Sequence, residues 1–139
     1  MAKMKGKDPK KGKRIAPPPP LPSTPNYDLE PPVFCLRYLD KTHGLDSCDQ
    51  DEKAALVSTF YKLSQLSWRE LRRAPRHGLG YEIIDRKSFR VTIPKHITED
   101  VNLIAFRFSG LKPMVGYRDE AIFRIIWLDK SFKVYDHGS

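Results

Sequence analysis

The last third of the chain does most to limit its fold. Residues 101–110 (VNLIAFRFSG), 114–129 (MVGYRDEAIFRIIWLD) and 131–138 (SFKVYDHG) are successive runs in which apolar and polar side chains alternate. That is the period of a half-buried strand. The 128–131 connection, LDKS, is short enough for an antiparallel hairpin. A chain that ends in consecutive strands has to cover their apolar face with whatever precedes them.

What precedes them is one more strand and two helices. Residues 31–40 (PPVFCLRYLD) read as a strand that puts Val33, Cys35 and Arg37 on one side and Phe34, Leu36 and Tyr38 on the other. In residues 48–74, Ala55, Leu56, Phe60, Leu63 and Leu66 recur at helical spacing behind Asp49, Asp51 and Glu52, where a helix dipole favours anions. Ser67 and Glu70 have the spacing of a capping box. Two helices are expected, over residues 50–65 and 68–74. Residues 75–80 (PRHGLG) break the second, and YEII and FRVTI beyond it are short strand-like or irregular pieces. This order predicts an α+β fold: a small antiparallel sheet with two helices packed on one face.

At 139 residues a single domain is expected, here residues 31–139. Residues 1–30 are predicted to be a disordered tail, lysine-rich and then proline-rich (PPPPLPSTP, 17–25). The formal net charge of +8 favours acidic partners such as nucleic acid, but most of it is local. Seven basic residues (Lys3, Lys5, Lys7, Lys10, Lys11, Lys13 and Arg14) stand against Asp8 alone in residues 1–26, which leaves the rest of the chain only mildly basic. The tail reads as a solubilising extension, a nucleic-acid tether or a proline-rich ligand. Two distant cysteines, Cys35 and Cys48, with no apolar signal region and no membrane-length apolar window, suggest a cytoplasmic protein with free thiols.

Alternation also sorts the strand side chains. Phe106, Phe108, Phe123, Ile125, Trp127, Phe132 and Val134 can form one apolar face. Arg107, Arg118, Arg124, Lys133, Tyr135 and His137 collect on the other, unless a β-bulge reverses part of a strand. Such a set suits RNA. Arginine and lysine hold phosphate and stabilise charge on a phosphorane-like transition state. Tyrosine stacks on bases, and histidine exchanges protons near neutral pH. RNA cleavage through its own 2′-OH needs a base, cations at the phosphate and an acid, and calls for no metal or cofactor. A solvated sheet face carries the same residue types. His43, His77, His96 and His137 show no zinc-ligand spacing with the cysteines, and no phosphate loop or serine or cysteine nucleophile motif is present. Arg69, Arg72 and Arg73 suit either a solvated helix end or an RNA-facing patch.

From residue 31 onward the chain resembles the RelE/YoeB group of bacterial toxins, ribosome-dependent mRNA endonucleases of toxin–antitoxin systems. The likeness is carried by FSG (108–110), YRDEAIFRIIW (117–127) and DKSFKVYDHG (129–138). The resemblance implies a RelE-like sheet and an mRNA-cleaving activity on the ribosome that a cognate antitoxin holds in check. It implies that Arg124 contacts the scissile phosphate, that His137 is the general acid or part of the acid–base pair, and that Tyr135 stacks on or orients the base. Arg118 would support RNA binding, as would Arg107 and Lys133 from the residue chemistry. The group carries a glutamate base upstream of the sheet, for which Glu82 and Glu99 are the candidates. Residues 111–116 (LKPMVG) read as an insert that lengthens the turn, and the tyrosine precedes the histidine here. A non-catalytic RNA- or protein-binding module on the same scaffold is the alternative.

Overall fold

The computed structural model describes residues 16–19, 25–76 and 78–138. The basic residues from Lys3 to Arg14, most of the proline run and His77 lie outside them. The body is α+β. Strand β1 (Val33–Cys35) is followed by helices α1 (Gln50–Leu63) and α2 (Trp68–Arg73), then by β2 (Glu82–Ile84), β3 (Leu103–Ser109), β4 (Lys112–Asp119) and β5 (Ile122–Leu128). The five strands form one sheet in the order β1-β5-β4-β3-β2. It is mixed rather than wholly antiparallel, because β1 runs parallel to β5. Among the described residues no helix is long and apolar enough to cross a membrane.

The helices begin where their caps dictate. Asp49 accepts from the Glu52 amide while Glu52 accepts from the Asp49 amide. Ser67 and Glu70 make the same reciprocal pair at α2. Each pair satisfies two amides that a helix start leaves without partners. Residues 26–30 belong to this body. Tyr27–Leu29 is a 3-10 turn, Asp28 pairs with Arg72 and Arg118, and the Glu30 carbonyl accepts from the Trp68 amide.

Both sheet faces are apolar. One packs Ile104, Phe106, Phe108, Met114, Phe123, Ile125 and Leu128 against Leu56, Leu63, Trp68 and Leu71 of the helices. The other buries Ile84, Leu103, Ala105, Val115, Ile126 and Trp127 under Val134, Tyr135, Phe89 and Ile97. Its cover is residues 86–101 and 134–136. Phe89 bridges Tyr135, and the Arg90 and Asp136 amides donate to the Val134 and Ser88 carbonyls. Arg86 pins this cover by donating to the Ile97, Thr98 and Val101 carbonyls.

Three expectations are corrected here. Residues 114–129 are not one strand. Glu120, in the left-handed region at φ 59°, turns the chain so that β4 and β5 form a hairpin. Residues 112–116 are β4 itself rather than an insert, and the preceding turn is only Gly110–Leu111. Residues 131–138 form no named strand. Phe132 is also left-handed (φ 59°), and the Lys133 and Val134 amides turn inward to the Asp129 carboxylate. LDKS is therefore a capped turn and not a hairpin.

These changes reassign side chains. Val115 pairs with Trp127 and Gly116 with Ile125, so Ile126 is a bulge and Trp127 joins the second face. Val134 goes there too, and Phe132 is exposed. Arg118 pairs with Phe123 and points to the helices, opposite to the expected face. Its guanidinium lies 4.6 Å from the Trp68 ring centre and binds Asp28 at 2.9 Å. That is a structural role.

Glu52 is 3% exposed and receives Lys112 at 2.7 Å and Lys130 at 3.3 Å, which ties α1 to β4 and to the turn after β5. The hydrogen bond from Lys112, with that from the Asp49 amide, lowers its pKa to about 2. A lowered folded-state pKa gives stability that is present above the unfolded value and is lost as pH falls toward 2. Glu52→Gln should therefore cost about 1–2 kcal/mol at pH 7, discounted because both lysines reach solvent, and much less at pH 3. Urea midpoints at the two pH values check this, and an equal cost at both would contradict it.

Candidate active site

Four of the sequence-predicted residues meet on the second face. Glu82 opens β2 and pairs in register with Ala105, so its side chain emerges beside a residue that offers only a methyl group. Arg107 is two residues along β3 on the same face, opposite Pro113 of β4. Tyr135 and His137 come from the chain end. Together with Arg76, Leu111 and Pro113 they line a cleft. The cleft widens to about 500 Å³ toward Asp85, Ser88, Phe132 and Asp136.

His137 is held by a residue that the sequence reading missed. Asp129 is fully buried and its backbone amide donates to the Pro113 carbonyl at 2.9 Å. Its carboxylate accepts from the Lys133 amide at 2.7 Å and the Val134 amide at 3.1 Å, and it lies 3.3 Å from His137 Nε2. A carboxylate only accepts, so Nε2 is the donor in this pair and Nδ1 stays outside it. The imidazole also stacks on Tyr135 (ring centres 3.9 Å apart) with Phe132 edge-on at 5.2 Å. Asp129 precedes His137 by eight residues, and its trace in the sequence was the LDKS turn, which invites an Asx-type cap.

Tyr135 is 5% exposed, with Phe89 against its ring as well as His137. Burial, followed by the negative charges of Glu82 and Asp129, raises its pKa well above that of a free tyrosine, while Arg107 and Arg76 oppose the shift. The phenol therefore stays protonated. All four charged groups act on this one hydroxyl, which marks the cleft as a single electrostatic unit. Glu82 is ion-paired with Arg76, the second residue missed. It lies in the PRHG break, where nothing in the pattern tied it to the sheet.

The other candidates lie elsewhere. Arg124 is on the second face but at the far end of the sheet. It binds Asp119 at 3.1 Å and approaches Cys35 Sγ at 3.4 Å. Arg118 is on the helix face. Lys133 is exposed and does not line the cleft, and Glu99 is exposed in the loop before β3. The cleft can thus offer a carboxylate, two guanidiniums and an oriented imidazole to one substrate group. No protein-family model, curated protein or solved structure matches the chain.

Proposed function

We propose that the protein is a metal-independent endoribonuclease, a cytoplasmic RelE/YoeB-like toxin that cleaves mRNA on the ribosome and is restrained by a cognate antitoxin. The observation that carries this reading is the gathering of Glu82, Arg107 and His137 on one cleft, with His137 fixed by buried Asp129. These are the groups that cleavage through the 2′-OH requires. Glu82 takes the 2′-hydroxyl proton, and the oxygen attacks phosphorus. Charge on the phosphorane falls to Arg107, and to Arg76 once Glu82 is engaged. The P–O5′ bond breaks as His137 Nδ1 gives its proton to the leaving oxygen. The products are a 2′,3′-cyclic phosphate and a 5′-hydroxyl. In this reading Arg107 has the phosphate role that the resemblance gives to Arg124, and Tyr135 supports His137 rather than a base.

A non-catalytic RNA- or protein-binding module is the second reading. It is favoured by the ion pair between Glu82 and Arg76, which occupies the carboxylate as a structural pair would. Induced expression in bacteria separates the two. The toxin reading expects growth arrest and fragmented mRNA with wild type, and neither with His137→Ala. Normal growth and intact mRNA with wild type protein present would overturn it, and RNA binding without cutting would establish the module.

A further inference from the structure

The second face holds another group of side chains, centred on Tyr38. This residue sits in the turn after β1, which is closed by Leu39 N donating to the Leu36 carbonyl and fixed to β5 by Asp40 N donating to the Ile126 carbonyl at 2.7 Å. The guanidiniums of Arg37 and Arg124 lie 5.5 and 5.7 Å from the Tyr38 ring centre. The His96 ring is 4.6 Å away and stands edge-on to Tyr117 at 6.0 Å. Tyr38 is 39% exposed, and Arg37 and His96 are exposed. Arg124 is held from the sheet side by Asp119 and Cys35, so it supports the ring from below.

Exposed rings bordered by guanidiniums are what a flexible single strand uses. Each base offers a π-face to an aromatic ring, and the adjoining phosphate meets a cation. An acidic peptide would use the cations and leave the rings idle. Tyr135, 5% exposed with Phe89 and His137 against its ring, is not open to a base, whereas Tyr38 is 39% exposed. We propose that Tyr38 and His96 form a base-stacking platform for single-stranded RNA, with Arg37 at the neighbouring phosphate. The platform belongs to the cleft's sheet face and is separate from the cleft. The proposal rests on the RNA reading above, but it needs binding alone and not cleavage.

The test is fluorescence anisotropy with a short labelled 2′-O-methyl oligoribonucleotide, which lacks the attacking hydroxyl. Tyr38→Ala should weaken binding about tenfold, within the range for one stacked base. Tyr38→Phe, which keeps the ring, should bind like wild type. Arg37→Ala should lower the slope of log affinity against log salt by about 0.7, one single-strand phosphate. Tyr61→Ala, an exposed tyrosine on α1 across the sheet, should change nothing. Wild-type affinity in both Tyr38→Ala and Arg37→Ala would overturn the platform and leave the cleavage reading standing. Absence of binding by wild type would overturn it too, whatever a separate cleavage assay shows. Binding through Tyr38 without any cleavage would sustain the platform and favour the module.

Discussion

Replacing His137 by alanine should lower RNA cleavage by about 10²–10⁴-fold, the usual contribution of a positioned general acid. The fold should survive, because the His137 side chain is 30% exposed and stands at the rim of the second core. Arg107→Ala should cost about 10²-fold, since it removes a donor aimed at developing charge. The two losses differ in origin: one removes proton donation to the leaving oxygen, the other charge stabilisation on the phosphorane. His137→Ala should steepen the dependence of rate on the leaving group, because a better leaving oxygen needs less proton donation, whereas Arg107→Ala should slow all substrates alike. Steady-state kinetics on an RNA and on an activated phosphodiester separate these outcomes. Equal losses on both substrates for His137→Ala would remove it from the acid role.

Asp129→Ala should be the most damaging substitution outside the hydrophobic core. It strips the Lys133 and Val134 amides of their acceptor and unties His137 in the same step. The Val134 amide is buried and costs about 1–3 kcal/mol when left unsatisfied, and the part-buried Lys133 amide costs less, so a loss of roughly 3 kcal/mol is expected. Asp129→Asn is the informative companion. Its single oxygen can serve one of the two amides, and its NH₂ faces groups that need an acceptor. Stability should fall less, by about 1–2 kcal/mol. Cleavage should still fall at least tenfold, because a neutral amide facing Nε2 does not stabilise the imidazolium whose Nδ1 proton goes to the leaving oxygen. Urea unfolding and cleavage rates measured together check this. An Asp129→Asn protein as active as wild type would show that the buried carboxylate only closes the turn.

Local chemistry was the legible part of the sequence. The Ser67–Glu70 box and the acidic front of α1 placed both helices nearly to the residue, because caps act over four residues and depend on little else. Phe106, Phe108, Phe123 and Ile125 were correctly put together on one face. The rest depended on turns without turn residues. Glu120 and Phe132 adopt left-handed backbone that usually selects glycine or asparagine, so neither the β4–β5 hairpin nor the capped turn after β5 announced itself. Each unseen turn reverses parity, and this is why Arg118 was assigned to the wrong face. The bulge at Ile126 did the same to Trp127. The second apolar face was hidden because its cover, residues 86–101, has no period of its own. Of the candidate site, Arg107, Tyr135 and His137 were nameable from chemistry, and Glu82 only as one of two glutamates that the resemblance called for. Arg76 and Asp129 were not, since their parts depend on contacts across the fold.

Cleavage through the 2′-hydroxyl at this cleft would proceed without a metal and leave characteristic ends. The direct measurement is to incubate purified protein with ribosome-bound mRNA and analyse the ends produced. Fragments with 2′,3′-cyclic phosphate and 5′-hydroxyl termini, missing in the His137→Ala reaction, are the predicted result. Intact mRNA, or fragments with 3′-hydroxyl and 5′-phosphate ends, would contradict it.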